Sequence, residues 1–159
     1  MLGKFVEVES LTLNALAVTE EGVPKSEILF EKSNTGIFIE GVILEAAFKI
    51  SDKFLLFVTD DIPHEDSLSI YLLSDTFLIL DQARLGGIYT TGSFNMIDYN
   101  GSVIYFRFFN EAKWQLTLLD KPALRLPIFS EPAGVSRKLG LTRYFKLESK
   151  PFSSEAANR

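Results

Sequence analysis

Phe54-Leu55-Leu56-Phe57-Val58, answered after a polar interval by Leu68-Ser69-Ile70-Tyr71-Leu72-Leu73, decides the fold class. Each run has the length of a strand, and the interval between them carries Pro63 and a set of acids that cannot continue an apolar element. Ser74-Asp75-Thr76 then reads as a short turn, and Phe77 to Leu80 as the next strand. Farther along, Val103 to Phe109 sets Ile104, Phe106 and Phe108 on one side and Val103, Tyr105, Arg107 and Phe109 on the other. After a break at Asn110-Glu111-Ala112, Trp114, Leu116 and Leu118 share a face. One apolar side and one mixed side per strand is the pattern of a half-buried antiparallel sheet.

The same period of two extends toward the N-terminus. Lys4 to Glu9 alternates, as do Leu11, Leu13, Ala15 and Ala17, and later Ile28 and Phe30. Ser33-Asn34-Thr35-Gly36 predicts a hairpin turn, because Asn and Gly tolerate positive φ. Ile37 to Ile50 reads as one long bent strand or as two, with Gly41 at the bend; a helical turn over Leu44 to Lys49 is the second option. Pro122, Pro127 and Pro132 make Lys121 to Ser136 an extended or edge segment, and Thr142 to Glu148 a last strand. The expectation is an all-β, single-domain antiparallel β-sandwich or partly closed β-barrel over residues 1–148, with about 9–11 strands and little helix. Residues 149–159 read as a frayed tail.

Composition excludes more than it selects. The chain has 159 residues, of which 47% are hydrophobic, enough for one core without staples. With no Cys, disulfide frameworks, thiolate metal sites and cysteine nucleophiles are all ruled out. A single His rules out multi-histidine metal sites. No apolar window approaches the ~20 residues that span a bilayer, and no signal-peptide pattern opens the chain, so a cytoplasmic protein without a membrane partner is expected.

The densest polar cluster is Thr59-Asp60-Asp61-Ile62-Pro63-His64-Glu65-Asp66. Asp60, Asp61, Glu65 and Asp66 surround the sole imidazole, His64, between two apolar strands. Such a loop can present negative charge to a basic partner, or simply be a solvated connection. Its spacing does not fit an EF-hand loop, so no metal is assigned. Any Ser-His-Asp hydrolase on this chain must use His64, yet no Gly-x-Ser-x-Gly elbow accompanies it. Neither a phosphate-cradling loop nor a dinucleotide fingerprint is present, and no cofactor is implied. A carboxylate-pair hydrolase leaves no local signature to read.

Gly86-Gly87-Ile88-Tyr89-Thr90-Thr91-Gly92-Ser93 is a second candidate segment. Gly86, Gly87, Tyr89 and Gly92 suit a loop that lets a ligand or another backbone approach closely, or a strand connection with a bulge. The many central aromatics either fill a core or line a lipophilic cavity. Arg107 and Lys113 beside Trp114 hint at single-stranded nucleic acid, but the net charge of −5 argues against that partner. Residues 1–100 hold 6 basic and 16 acidic residues, residues 101–159 hold 10 and 5. Interleaved strands would turn this asymmetry into cross-strand ion pairs; segregated halves would make an acidic face. The functional expectation is a non-enzymatic interaction protein with an acidic surface, of adaptor or toxin-neutralising type, binding a basic protein partner. A lipophilic carrier and a His64 hydrolase are the alternatives, and a homodimer through a sheet edge is open.

Overall fold

A computed structural model describes residues 3–17, 22–62, 66–86, 92–108, 112–123, 131–138 and 142–151. These form thirteen strands and no helix: β1 (Val6–Glu7), β2 (Leu11–Ala15), β3 (Lys25–Phe30), β4 (Ser33–Glu40), β5 (Ile43–Ile50), β6 (Lys53–Thr59), β7 (Leu68–Leu73), β8 (Ile79–Leu85), β9 (Asn95–Asn100), β10 (Val103–Arg107), β11 (Ala112–Ala123), β12 (Val135–Ser136) and β13 (Arg143–Pro151). They assemble into three antiparallel sheets, in the orders β1-β5-β6-β7-β8-β12, β13-β11-β10-β9 and β2-β3-β4. None of them closes into a barrel, so the architecture is a sandwich.

The sandwich has three layers, and the six-stranded sheet is the middle one. Alternation along its strands divides the interior in two. Leu55 and Phe57 of β6, with Leu68, Ile70 and Leu72 of β7, pack against Ile104, Phe106, Trp114, Leu116 and Phe145 of the four-stranded sheet. Phe54, Leu56 and Val58, with Tyr71 and Leu73, pack against Leu11, Ile28 and Ile39 of the three-stranded sheet. A strand covered on both faces has no polar side, which is why residues 54–58 form an unbroken apolar run. The central aromatics close on one another: the Phe57 ring lies 5.2 Å from Phe106 and 5.1 Å from Phe94, and Phe106 stacks 6.4 Å from Trp114. Ring-on-ring packing of this kind fills the interior.

Several local expectations shift. The β3–β4 hairpin turns at Glu31 and Lys32, with φ of 49° and 69°, not at Ser33 to Gly36. The Asn34–Gly36 stretch lies inside β4, where pairing skips between Glu27 and Leu29. Glu27, itself buried, accepts hydrogen bonds from Asn34 Nδ2 at 2.9 Å and Gly36 N at 3.0 Å. The turn-forming residues thus shape a bulge, and a tertiary carboxylate holds it. Gly41 separates β4 from β5 at φ 108°, where a Cβ would lie 2.4 Å from Val58 Cγ1. Leu44 to Lys49 is strand, not helical turn. The last strand continues through Ser149 to Pro151. Among the described residues no helix is long and apolar enough to cross a membrane.

Candidate functional site

The three-stranded sheet is narrower than the sheet it covers, and this mismatch creates the polar surface. Cross-strand neighbours on that face of the middle sheet run Ala47, Leu56, Tyr71, Gln82 in one row and Val58, Ser69, Arg84, Ser136 in the next. Each row is apolar beneath the covering sheet and polar beyond its β4 edge. Tyr71 marks the border. Its hydroxyl donates to the Glu40 carbonyl and accepts from the Glu40 N–H, both at 3.0 Å, and burial pushes its pKa up to about 12.

Arg84 organises the polar side. Its Nη2 lies 2.5 Å from Asp60 Oδ2, its Nη1 donates to Ser69 Oγ at 3.0 Å, and Glu40 Oε2 sits 3.6 Å away. Burial raises the pKa of Asp60 from its ordinary value, with Arg84 opposing the shift and Asp66 and Glu40 adding to it. Around this group lie two adjoining depressions of about 160 Å³ each, sharing Glu40, Tyr71, Gln82 and Lys138.

Of the loop acids, Asp60 points inward and is 2% exposed. Asp66 Oδ1 accepts the Asp60 and Ser67 N–H groups, both at 3.0 Å, and so ties the loop to itself. Asp61 alone among the three described acids is exposed. His64 and Glu65 lie outside the described residues, as do Gly87 and Tyr89. Gly86 makes room for a neighbouring side chain: at φ 151°, a Cβ there would meet Ser67 Oγ at 2.5 Å. Gly92 is half-buried and lies in a connection before β9.

At the opposite edge of the middle sheet lies a larger groove of about 500 Å³. Strand β1 pairs only with Phe48 and Lys49 of the eight-residue β5, with one further bond from Val8 N to Ala47 O at 3.1 Å. Ahead of Ala47, the outer edge of β5 has no ladder partner among the described residues. Glu7, Val8 and Glu9 flank this open stretch, with Leu44, Glu45, Ala46, Ala47 and Met96 forming the rest of the wall. Glu45 is the extra residue of a bulge between Leu44 and Ala46, and Thr59 Oγ1 donates to it at 3.1 Å. Three carboxylates and no Lys or Arg belong to its wall among the described residues. The Glu7–Glu9 spacing of two was the sequence signal; its juxtaposition with Glu45 depends on the distant pairing of Val6 with Lys49 and Glu7 with Phe48.

The ion pairs mostly stay within each half of the chain. Of the seven ion pairs among the described residues, only Asp81–Arg137 joins residues 1–100 to the remainder. No group of three or more metal-ligating side chains among the described residues is arranged to hold an ion. Comparison with protein-family models, with curated proteins and with solved structures found no match.

Proposed function

We propose that this is a non-enzymatic binding protein whose Glu7–Glu9–Glu45 groove takes an extended, basic segment of a protein partner. The observation that carries the reading is the groove's wall, three carboxylates without a cation, set along an unpaired stretch of strand edge. Main-chain groups of β5 offer hydrogen bonds to an added strand, and the carboxylates select Lys or Arg on it. The volume falls within the ~300–1,000 Å³ typical of ligand sites. A field of one sign steers a basic partner and speeds its association, which suits an adaptor or a neutraliser of a basic protein.

The test is fluorescence anisotropy with a labelled Lys/Arg-rich peptide at low and high salt. Glu7→Gln/Glu9→Gln/Glu45→Gln should weaken binding about tenfold, as expected for three partly screened charge contacts. A control that removes three exposed acids elsewhere, Glu31→Gln/Asp75→Asn/Asp98→Asn, should stay within about twofold of the parent. Equal losses in the two triple variants would reduce the attraction to net charge and overturn the assignment. Salt-independent binding would do the same.

A further inference from the structure

We infer that the segment taken by the acidic groove is an amphipathic strand in which Lys or Arg alternates with apolar residues. The inference rests on the proposed function and adds the partner's residue pattern to it. The open stretch of β5 borders two faces of unlike chemistry. On the side of the four-stranded sheet stand carboxylates: Glu7 is the cross-strand partner of Phe48, and Glu45 accepts from Thr59, itself the partner of Leu68. Cross-strand partners share a face, and Phe48 and Leu68 both belong to the core shared with the four-stranded sheet. On the side of the three-stranded sheet stand Val8 and Leu44, half-buried and packed on the other core.

A strand laid along this edge sends successive side chains to opposite faces. Those on the first face meet Glu7 and Glu45, where a cation is favoured. Those on the second meet Val8 and Leu44, whose remaining exposed surface an apolar side chain covers. A uniformly basic segment would set every second charge against that apolar surface and forfeit the burial. The backbone of the edge already shows the pairing geometry, since the Ala47 carbonyl points outward to Val8 N at 3.1 Å. Ile43, 39% exposed, begins the open stretch. Residues 43–46 span about 13 Å of strand at ~3.3 Å per residue, room for about two side chains on each face. Main-chain bonds along the edge would give affinity, and the two faces would give the alternation.

The experiment titrates the intact protein with two labelled peptides and reads fluorescence anisotropy. One peptide alternates Lys and Val; the other has the same length and composition with its Lys and Val in separate blocks. The alternating peptide should bind about tenfold more tightly. Glu7→Gln/Glu9→Gln/Glu45→Gln should weaken both peptides, because both carry the charge. In ¹⁵N-resolved spectra, the alternating peptide should move the amide resonances of residues 43–46 and leave those of residues 37–40, on the free edge of β4, in place. Equal affinities, or a preference for the blocked peptide, with the triple variant still weakening both, overturn the alternation and leave the proposed function standing. Affinities undiminished in the triple variant overturn the proposed function and the alternation with it. Resonance shifts that spare residues 43–46 also overturn the inference.

Discussion

Tyr71, on the middle sheet, bonds to both backbone groups of Glu40, the last residue of the covering strand, at 3.0 Å each. One side chain thereby fixes where the narrow sheet ends above the wide one. Beyond that hydroxyl its row continues to Gln82, and before it run Leu56 and Ala47 of the core. The contact is therefore the seam between packing and the exposed cleft.

Tyr71→Phe keeps the buried ring and removes both bonds. The loss should be roughly 1–3 kcal/mol, since the freed Glu40 groups are only partly able to find water. The pH dependence has a definite sign. Because the folded pKa is about 12 against an unfolded 10, the contribution is complete below pH 10 and is lost as pH rises toward 12. Urea unfolding from pH 8 to pH 12 should show this extra alkaline loss in the parent and not in Tyr71→Phe. Identical alkaline limbs in the two proteins would contradict it.

Asp60 behaves in the opposite way from a surface-paired carboxylate. Its folded pKa is raised above 3.8, so the folded state holds the proton more tightly than the unfolded chain. Stability from this group is present at low pH and falls as pH climbs from about 3.8 through the raised value. Asp60→Asn removes that slope. The difference in unfolding free energy between Asp60→Asn and the parent should move in favour of the variant across that window. A difference independent of pH between 3.5 and 7 would show that Arg84 cancels the effect of burial, and one that moves in favour of the parent would show that Arg84 outweighs it.

Asp81 is fully buried and holds Arg137 Nη2, Tyr144 N and Phe145 N on one oxygen, with Gln82 N on the other. Asp81→Ala strands the guanidinium of Arg137 in the interior and should cost about 3–5 kcal/mol. Asp81→Leu/Arg137→Met removes both charges together and should recover part of that loss. A strictly additive double variant, in chemical denaturation, would mean the two residues act independently.

Gly41→Ala meets two obstacles, positive φ and a Cβ 2.4 Å from Val58 Cγ1. Strain and overpacking together should cost roughly 2 kcal/mol or more. Val58→Ala in the same chain should relieve the clash but not the backbone strain, so the Gly41→Ala penalty should shrink without vanishing. An unchanged penalty in the Val58→Ala background would assign the cost to φ alone.

The β class, the strands at Phe54–Val58 and Leu68–Leu73, and the inward faces of Ile104, Phe106, Trp114, Leu116 and Leu118 were legible because period and run length are local properties. The unbroken run at 54–58 held the third layer in plain view, yet such a run is equally consistent with any strand buried on both faces. Turn chemistry misled at Ser33–Gly36, where the Glu27 carboxylate recruits Asn34 and Gly36 into a bulge. The loop at Asp60–Asp66 drew attention for its charge density, whereas Asp60 itself is turned inward by Arg84, 24 residues away.

By itself, then, the sequence determined an all-β chain with a heavily aromatic interior and an acidic first half. Those follow from alternation and composition, which act within a few residues. Only the tertiary structure decided that three sheets stack, that the narrow one stops at Tyr71, and that Glu45 joins Glu7 and Glu9 while Arg137 joins Asp81. The reason is physical: these neighbours meet through strand pairing and layer packing across tens of residues, and no local pattern encodes which strands become neighbours.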